Sequence, residues 1–203
     1  MTIAIIDLAI GNYGSILNIL SKLKTRAVLT QDPAEILRAD KVILAGVGAF
    51  DPAVRAIRER GLDPVIREAA RTRPLLGICL GMQLLANASE EGSLPGLGLI
   101  PGKVVRFSTA GGGESIRVPH MGWNRLKLVR ASPLTAALPE RARFYFMHSY
   151  YYVCENPADV VAQATYGVDF TAMIQHGKVM GAQFHPEKSH RYGLSVFRQF
   201  AQL

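Results

Sequence analysis

Short apolar runs alternate with helical patterns in the first half of the chain. The runs, rich in β-branched residues, predict buried strands at Ile3 to Asp7, Ala27 to Thr30, Val42 to Ala45 and Leu75 to Ile78. Apolar residues at helical spacing predict helices at Ile16 to Leu23, Pro52 to Arg60, Pro64 to Thr72 and Gly81 to Asn87. Because strands that alternate with helices form βαβ units, we expect an α/β fold: a doubly wound, mostly parallel sheet with helices on both faces, flavodoxin-like in plan.

The second half has short strands separated by turn residues. Strands are predicted at Gly102 to Phe107, Ser115 to Val118, Arg125 to Val129, Arg143 to Met147, Tyr151 to Cys154, Val160 to Thr165 and Val179 to Phe184, and a final helix at Tyr192 to Gln202. This spacing indicates antiparallel hairpins attached to the parallel sheet. Gly111 to Gly113 predict a mobile loop rather than a domain boundary, so we expect one domain over residues 1–203.

Composition narrows the class of protein. Hydrophobic residues make up 49% and charged residues 19% of the 203, which is typical of a globular chain and excludes a disordered or fibrous one. The net charge of +7 comes from cations interspersed with acidic residues, so we expect a solvated surface rather than a nucleic-acid site. No apolar run reaches the roughly 20 residues of a membrane span, and the start of the chain lacks a signal-peptide pattern. We therefore expect a cytoplasmic protein without membrane contact.

The sharpest local motif is Gly77-Ile78-Cys79-Leu80-Gly81, where a predicted strand meets a predicted helix. A nucleophile on such a tight bend has its side chain exposed, and the flanking glycines leave room for the bend. The helix that starts near Leu80 directs its first amides at the sulfur, which favours the thiolate. Cys79 is therefore a candidate nucleophile, with a buried structural cysteine as the alternative. Cys154, in a strand-like segment, is expected to be a packing residue.

A base for this nucleophile is predicted at His185, which follows the strand ending at Phe184. In a parallel sheet the active site lies outside the carboxyl ends of the strands, so Cys79 and His185 are expected to meet there. Glu187, two residues further on, is placed to orient the imidazole. The Gly46-Val47-Gly48 turn after another strand offers backbone amides to an oxyanion. Together these parts predict acyl transfer through a thioester.

Metal and nucleotide chemistry are not indicated by the sequence. The cysteines and histidines lack the short ligand spacing of a zinc site, so we expect no metal. Gly11-Asn12-Tyr13-Gly14 follows the first strand, but it lacks the spacing of a dinucleotide loop, and no Walker motif occurs. We therefore expect no cofactor.

The three motifs of the predicted site resemble those of the class I, or triad, glutamine amidotransferases. The matching segments are Gly77-Ile78-Cys79-Leu80-Gly81-Met82-Gln83, Gly46-Val47-Gly48 and Phe184-His185-Pro186-Glu187. The resemblance implies hydrolysis of glutamine to glutamate and ammonia, with Cys79 as nucleophile, His185 as base and then acid, and Glu187 as orienting carboxylate. The resemblance also implies an oxyanion hole made by Gly46, Val47, Gly48 and Leu80, and glutamine binding by Gly48 and Gln83.

Within that family, the sequence looks most like the glutaminase subunits of imidazole glycerol phosphate synthase, from histidine biosynthesis. The similar segments are Gly11-Asn12, Gly46-Val47-Gly48-Ala49-Phe50, Pro119-His120-Met121-Gly122-Trp123-Asn124, His148-Ser149-Tyr150 and Pro186-Glu187-Lys188-Ser189. The resemblance implies a heterodimer with a cyclase, a (β/α) barrel, that receives the ammonia. It adds Ser149 and Tyr150 to glutamine binding, and it implies a partner interface at Asn12, His120, Met121, Trp123 and Asn124.

Other functions fit parts of this pattern. A glutaminase of pyridoxal phosphate or anthranilate synthesis shares the triad, although the Pro119 to Asn124 segment argues against it. A cysteine peptidase or chaperone of the related elbow fold commonly has histidine directly after the nucleophile, where Leu80 stands here. A non-catalytic binding module is the third alternative.

Because free ammonia is easily lost, we also expect the Gly46 to Phe50 loop to complete the oxyanion hole only when the partner has bound its ligand.

Overall fold

The computed structural model describes residues 1–108 and 116–203. In chain order its strands are β1 (Thr2–Ile6), β2 (Arg26–Thr30), β3 (Lys41–Gly46), β4 (Leu75–Cys79), β5 (Ala88–Ser89), β6 (Gly102–Arg106), β7 (His120–Arg125), β8 (Lys127–Leu128), β9 (Arg143–His148), β10 (Tyr150–Cys154), β11 (Val160–Tyr166), β12 (Val168–His176) and β13 (Val179–Ala182). The helices are α1 (Tyr13–Lys22), α2 (Pro33–Arg38), α3 (Phe50–Glu59), α4 (Leu62–Thr72), α5 (Leu80–Gln83) and α6 (His190–Gln202), with short 3-10 turns at Pro133–Thr135, Pro157–Asp159 and Pro186–Lys188.

The main sheet has the strand order β2-β1-β3-β4-β13-β12-β10-β6-β5, and its first five strands run parallel. Antiparallel pairing begins where β13 meets β12 and continues through β10 to β6. A branch from β12 carries β11 and β8, while β7 and β9 form a separate antiparallel ribbon. The expected fold is confirmed: a parallel doubly wound sheet with antiparallel strands added by the second half of the chain.

Two core layers cover the faces of the parallel sheet. Successive side chains of a strand point to opposite faces, so Ile3 and Ile5 pack in the layer that contains α1 and α6. Ala4 and Ile6 pack in the layer that contains α2, α3 and α4. Continuous burial along β1, β3 and β4 explains why these strands are apolar runs rather than alternating ones.

Several elements differ from the sequence-based expectation. The helix predicted at Gly81 to Asn87 ends at Gln83, because the carbonyls of residues 84–86 bond to amides of residues 97–99 instead of to the next helical turn. Helix α2 was not predicted; it has six residues, and the Asp32 side chain caps it by accepting from the Ala34 amide at 2.9 Å. Strand β12 was missed because polar residues interrupt its apolar pattern.

The predicted strand at Ser115 to Val118 is not found where the chain is described. Residues 116–118 are not in a strand, and the strand begins two residues later, as β7. Ser115 and the Gly111 to Gly113 loop lie outside the described residues. Within residues 1–108 and 116–203, no helix is long and apolar enough to cross a bilayer.

Candidate active site

A cavity of about 230 Å³ lies at the carboxyl ends of β3, β4 and β13. Gly46 and Cys79 are direct neighbours where β3 and β4 end, and His185 follows β13 on the other side of β4. The cavity is lined by Val47, Gly48, Cys79, Leu80, Gln83, Glu91, Pro119, Met147, His148, Ser149, Tyr150 and His185. The parallel sheet thus brings together side chains that are far apart in the chain, as the topology rule predicts.

Cys79 occupies a strained bend between β4 and α5. Its φ of 52° and ψ of −111° are unusual for a residue with a side chain. A Cβ at Gly81 would overlap the carbonyl oxygen of Leu44, and one at Gly77 would lie 2.7 Å from the carbonyl oxygen of Gly81. Only glycine therefore fits on either side of the bend, which explains the Gly77 to Gly81 motif in steric terms.

Cys79 is 7% exposed, and two polar groups besides His185 lie near its sulfur. The Gln183 amide Nε2 and the Met147 carbonyl oxygen each lie 3.9 Å from it. Gln183 is fully buried, and its Oε1 accepts from Gln83 Nε2 at 3.2 Å. Gln183 was not predicted from the sequence, although a glutamine inside the apolar strand segment before His185 was a usable signal.

His185 is held by Glu187 on one side of its ring. Its Nδ1 lies 2.7 Å from Glu187 Oε1, and both side chains are almost fully buried. Within residues 1–108 and 116–203, His185 Nε2 has no hydrogen-bond partner of normal geometry, yet the Cys79 thiol is close enough to raise the pKa of the imidazole. Burial lowers the pKa of His185, but Cys79 and Glu187 outweigh burial and raise it to about 10. The site therefore favours an imidazolium beside the Cys79 thiol.

Ser189 fixes the backbone of the histidine. Its hydroxyl donates to the His185 carbonyl at 2.6 Å and accepts from the Tyr145 amide at 3.0 Å. The His185 amide in turn donates to the Tyr145 carbonyl at 2.9 Å. Ser189 is fully buried, so this closed set of bonds ties the segment after β13 to strand β9. Ser189 is part of the Pro186 to Ser189 motif, but its hydrogen bond to Tyr145 could not be predicted without knowing that β9 lies beside it.

The Gly46-Val47-Gly48 turn is not in an oxyanion-binding arrangement. The Val47 amide donates to the carbonyl oxygen of Ile10 at 2.8 Å, away from Cys79. Gly48 has a φ of 105°, which gives this turn a conformation that glycine adopts readily. The Gly46–Val47 peptide would have to rotate before the Val47 amide could donate a hydrogen bond to an oxyanion beside Cys79. Leu80, the other residue expected in the oxyanion hole, lines the cavity next to Cys79.

The remaining cavity wall carries polar groups suited to an amino acid. Gln83 Nε2 donates to the Tyr150 carbonyl at 3.0 Å, and Ser149 lies beside that carbonyl on the cavity wall. Glu91 also faces the cavity and accepts from the Phe50 amide at 3.0 Å through Oε2. Burial raises the pKa of Glu91, with the Phe50 hydrogen bond acting in the opposite direction. Glu91 was not predicted as a site residue because it belongs to no motif and comes from the loop after β5.

The residues expected at a partner interface divide between two environments. Met121 and Trp123 are 58% and 44% exposed, and Trp123 stacks on His190 with ring centroids 5.3 Å apart. His120 is only 3% exposed, because alternation along β7 turns it inward while its neighbour Met121 points out. Its side chain is therefore buried inside this chain and is not exposed at the surface. Asn124 Nδ2 donates to the Thr165 carbonyl at 2.8 Å.

The other interface candidate, Asn12, is exposed and lines a small second cavity of about 20 Å³. That cavity is also lined by His185, Glu187 and Lys188. Gly46 lines this second cavity rather than the first.

The second cysteine lies in a different environment. Cys154, at the end of β10, is partly buried, and burial raises its pKa to about 12. Its thiol therefore stays protonated at neutral pH, as a packing residue requires. Among the described residues, no group of three or more His, Cys, Asp or Glu side chains is arranged to hold a metal ion.

Comparison with known proteins agrees with this geometry. The family model for "Glutamine amidotransferase class-I" matches residues 4–202, and the chain therefore belongs to that family. Solved structures show the same fold. The PurLQS structure from Thermotoga maritima has a TM-score of 0.76 at 20% identity over 99% of this chain and 97% of its own. A glutamine amidotransferase from the same organism has a TM-score of 0.65 at 21% identity over 95% of this chain and 78% of its own.

Curated relatives are more similar in sequence. "Imidazole glycerol phosphate synthase subunit HisH" of Sulfurimonas denitrificans is 47% identical over 202 residues, which cover 98% of this chain and 97% of the relative. The protein of the same name in Bdellovibrio bacteriovorus is 42% identical over 99% of this chain and 100% of its own. "Imidazole glycerol phosphate synthase subunit HisH 2" of Methanococcus maripaludis is 44% identical over 98% of both chains.

Proposed function

We propose that residues 1–203 form a single glutaminase domain that releases ammonia from L-glutamine for imidazole glycerol phosphate synthesis. One observation carries the proposal: Cys79 sits on a strained elbow in the same cavity as His185, whose Nδ1 is held by the buried Glu187. This is the arrangement that a thiol nucleophile, its acid-base group and an orienting carboxylate require. The names of the curated relatives support the product and the pathway.

The reaction runs in two halves. The Cys79 thiolate attacks the side-chain amide carbon of glutamine, and the tetrahedral intermediate collapses when His185 gives its proton to the leaving nitrogen. Ammonia departs and a glutamyl thioester remains on the sulfur. Water then adds to the thioester as His185 takes its proton, and collapse releases glutamate and restores the thiolate and imidazolium. Glu187 stays ionised throughout and stabilises the imidazolium. The raised pKa of His185 suits the first half, in which it acts as an acid.

Glutamine binding uses the polar wall of the cavity. The Glu91 carboxylate is suited to the α-ammonium group of the substrate, since it has a free oxygen in a partly buried site. Gln83, Ser149, the Tyr150 backbone and Gly48 surround the rest of the molecule. A cavity of about 230 Å³ accommodates one amino acid, and Cys79 lies on its wall, where the side-chain amide of glutamine has to reach the sulfur.

The oxyanion turn provides control over hydrolysis. With the Val47 amide bonded to Ile10, one donor of the oxyanion hole is engaged elsewhere, and the elbow amide at Leu80 acts alone. We expect partner binding and ligand loading to release this bond and rotate the Gly46–Val47 peptide, which carries the Val47 N–H. The loss of one oxyanion donor costs about 10²- to 10³-fold in rate, so this device prevents wasteful hydrolysis.

The partner that consumes the ammonia is a cyclase with a (β/α) barrel, joined to this chain as a heterodimer. The exposed pair Met121 and Trp123 supports docking on that side of the β7–β9 ribbon. We infer that ammonia leaves toward the partner past the small cavity that Asn12, His185 and Glu187 line, since Asn12 is exposed at the surface. The proposed complex acts in the cytoplasm as the lyase that completes the imidazole ring, without cofactor or metal in this subunit.

The proposal is tested with the complex of this chain and the cyclase from the same organism. Cys79→Ala should abolish synthesis from glutamine while synthesis from added ammonium salt continues at the wild-type rate. Cys154→Ala is the matched control and should leave both activities intact. Loss of the ammonia-dependent activity in a folded Cys79→Ala complex would contradict the proposed division of labour. Equal glutaminase rates with and without the loaded cyclase would contradict the switch.

A further inference from the structure

Two histidines that take no part in the triad form a buried pair beside the glutamine cavity. His120 Nδ1 lies 3.2 Å from His148 Nε2, and His148 Nδ1 lies 2.8 Å from the Tyr150 carbonyl oxygen. The side chains are 3% and 6% exposed. Because a carbonyl only accepts, His148 must carry its proton on Nδ1. A neutral His148 then accepts at Nε2, so the donor is His120 Nδ1–H, and the direction of both bonds is fixed.

The surroundings keep the pair uncharged. The His120 ring stacks on Phe146 and Tyr166, at centroid distances of 5.1 and 4.1 Å. Phe170 contacts both imidazoles. Burial lowers the pKa of His120 to about 4 and that of His148 to about 3, with His185 the other titratable group that acts on His148. The pair therefore stays neutral across the physiological range, and its hydrogen bonds do not depend on pH there.

One end of this hydrogen-bond chain is a wall of the cavity. The Tyr150 carbonyl accepts both from His148 Nδ1 and from Gln83 Nε2 at 3.0 Å. His148, Ser149, Tyr150 and Gln83 all line the cavity. The pair thus fixes the orientation of the peptide that presents Ser149 and Tyr150 to the substrate.

The other end is the strand with the exposed surface. His120 pairs with His148 across the β7–β9 ribbon, and the next pair along is Met121 with Met147. Met121 points outward, while the Met147 carbonyl lies 3.9 Å from the Cys79 sulfur. Backbone pairing and the His120–His148 hydrogen bond therefore connect β7, which carries the exposed Met121, to the cavity wall in a fixed register.

We propose that His120 is a positioning residue for glutamine binding: its Nδ1–H fixes His148, and His148 fixes the Ser149–Tyr150 wall in register with strand β7. The inference rests on the proposed glutaminase function for its kinetic consequence, whereas the direction of the hydrogen bonds stands on geometry alone. His120 touches no substrate, so its effect is transmitted through His148.

The kinetic test compares His120→Phe with His120→Asn in the complex with the cyclase. Phenylalanine fills the aromatic site without a donor, and asparagine places an amide N–H near the position of Nδ1. We expect His120→Phe to raise KM for glutamine about five- to tenfold with little change in kcat, since it loses one buried hydrogen bond used in binding. His120→Asn should return KM to within about twofold of wild type. Phe170→Leu, which removes packing but no hydrogen bond, should lower stability and leave KM unchanged.

A spectroscopic test needs only the wild-type chain. With ring-¹⁵N histidine, nitrogen shifts should report Nδ1–H forms for both His120 and His148, without titration between pH 6 and 8. An Nε2–H form of His148, or ordinary titration of either ring, would overturn the inference even if His120→Phe failed to fold. So would a folded His120→Phe complex with wild-type KM, or an equal rise in KM for the phenylalanine and asparagine variants. A wild-type complex inactive with glutamine would instead refute the proposed function and leave the spectroscopic result to decide the pair.

Discussion

Replacing Glu187 by glutamine tests how the triad sets the charge of His185. Burial lowers the pKa of His185, and Cys79 and Glu187 raise it to about 10, so the net preference for the imidazolium is about 5 kcal/mol relative to the ordinary pKa of 6.5. Glu187→Gln keeps a side chain of the same size at Nδ1 but removes the charge. Because Glu187 is one of the two groups that raise the pKa of His185, removing its charge should lower that pKa. The amide also presents an N–H to Nδ1 in one of its orientations and so admits the wrong tautomer. We expect the glutaminase rate to fall about 10²- to 10⁴-fold.

The assay combines a titration with a stability profile. Ring-¹⁵N shifts of His185 give its pKa in the isolated chain, and urea unfolding gives the free energy of unfolding at each pH. Because the folded pKa lies above the unfolded value of 6.5, the stabilisation by His185 is complete below pH 6.5 and is lost as pH rises towards 10. Glu187→Gln should flatten this decline, whereas Glu140→Gln, the same change at an exposed position, should not. The same pKa for His185 in wild type and Glu187→Gln would refute the reasoning.

Three further substitutions have defined outcomes. Gly81→Ala should destabilise the chain by more than about 3 kcal/mol, because its Cβ would overlap the Leu44 carbonyl. Gly14→Ala in α1 is the control and should be neutral or stabilising, because a Cβ there meets open space. Urea unfolding measures both free energies, and equal effects would contradict the steric account. Ser189→Ala should cost about 1–3 kcal/mol of unfolding free energy and lower glutaminase activity, because it removes the hydroxyl that bonds both the His185 carbonyl and the buried Tyr145 amide. A wild-type rate would argue against a positioning role. Trp123→Ala should change the free energy of unfolding by less than about 1 kcal/mol, because the side chain is largely exposed. It should weaken cyclase binding, measured by calorimetry, by at least about 2 kcal/mol. Unchanged affinity would exclude this face from the interface.

The predicted site depended on strand order more than on any single motif. Cys79 and His185 were expected to meet because both follow strands of a parallel sheet, and β4 and β13 are indeed neighbours in that sheet. The glycines around Cys79 were predicted for the same steric reason that the structure gives them. These inferences use local pattern and one general rule of topology, so they are accessible from sequence.

The features that were missed depend on contacts between segments without a shared pattern. Glu91 reaches the cavity from an irregular loop, and the Val47 amide bonds to Ile10, a residue with no chemical signal of its own. His120 was expected at the surface because it stands in a motif with Met121 and Trp123. Its inward orientation follows from the register of β7 against β9, and β7 itself was not predicted. The direction of each side chain on a short polar strand can be predicted only when the strand that pairs with it is known.

The central claim is that glutamine is cleaved through a thioester on Cys79 and that the loaded partner promotes this step. The most direct measurement is acid quenching of the complex during turnover of ¹⁴C-glutamine, followed by peptide mapping of the label. The account predicts label on the peptide that contains Cys79, increased when the cyclase ligand is present, and none on the Cys154 peptide or in Cys79→Ser. Label on Cys154, or glutamate formation by a folded Cys79→Ala complex at the wild-type rate, would contradict it.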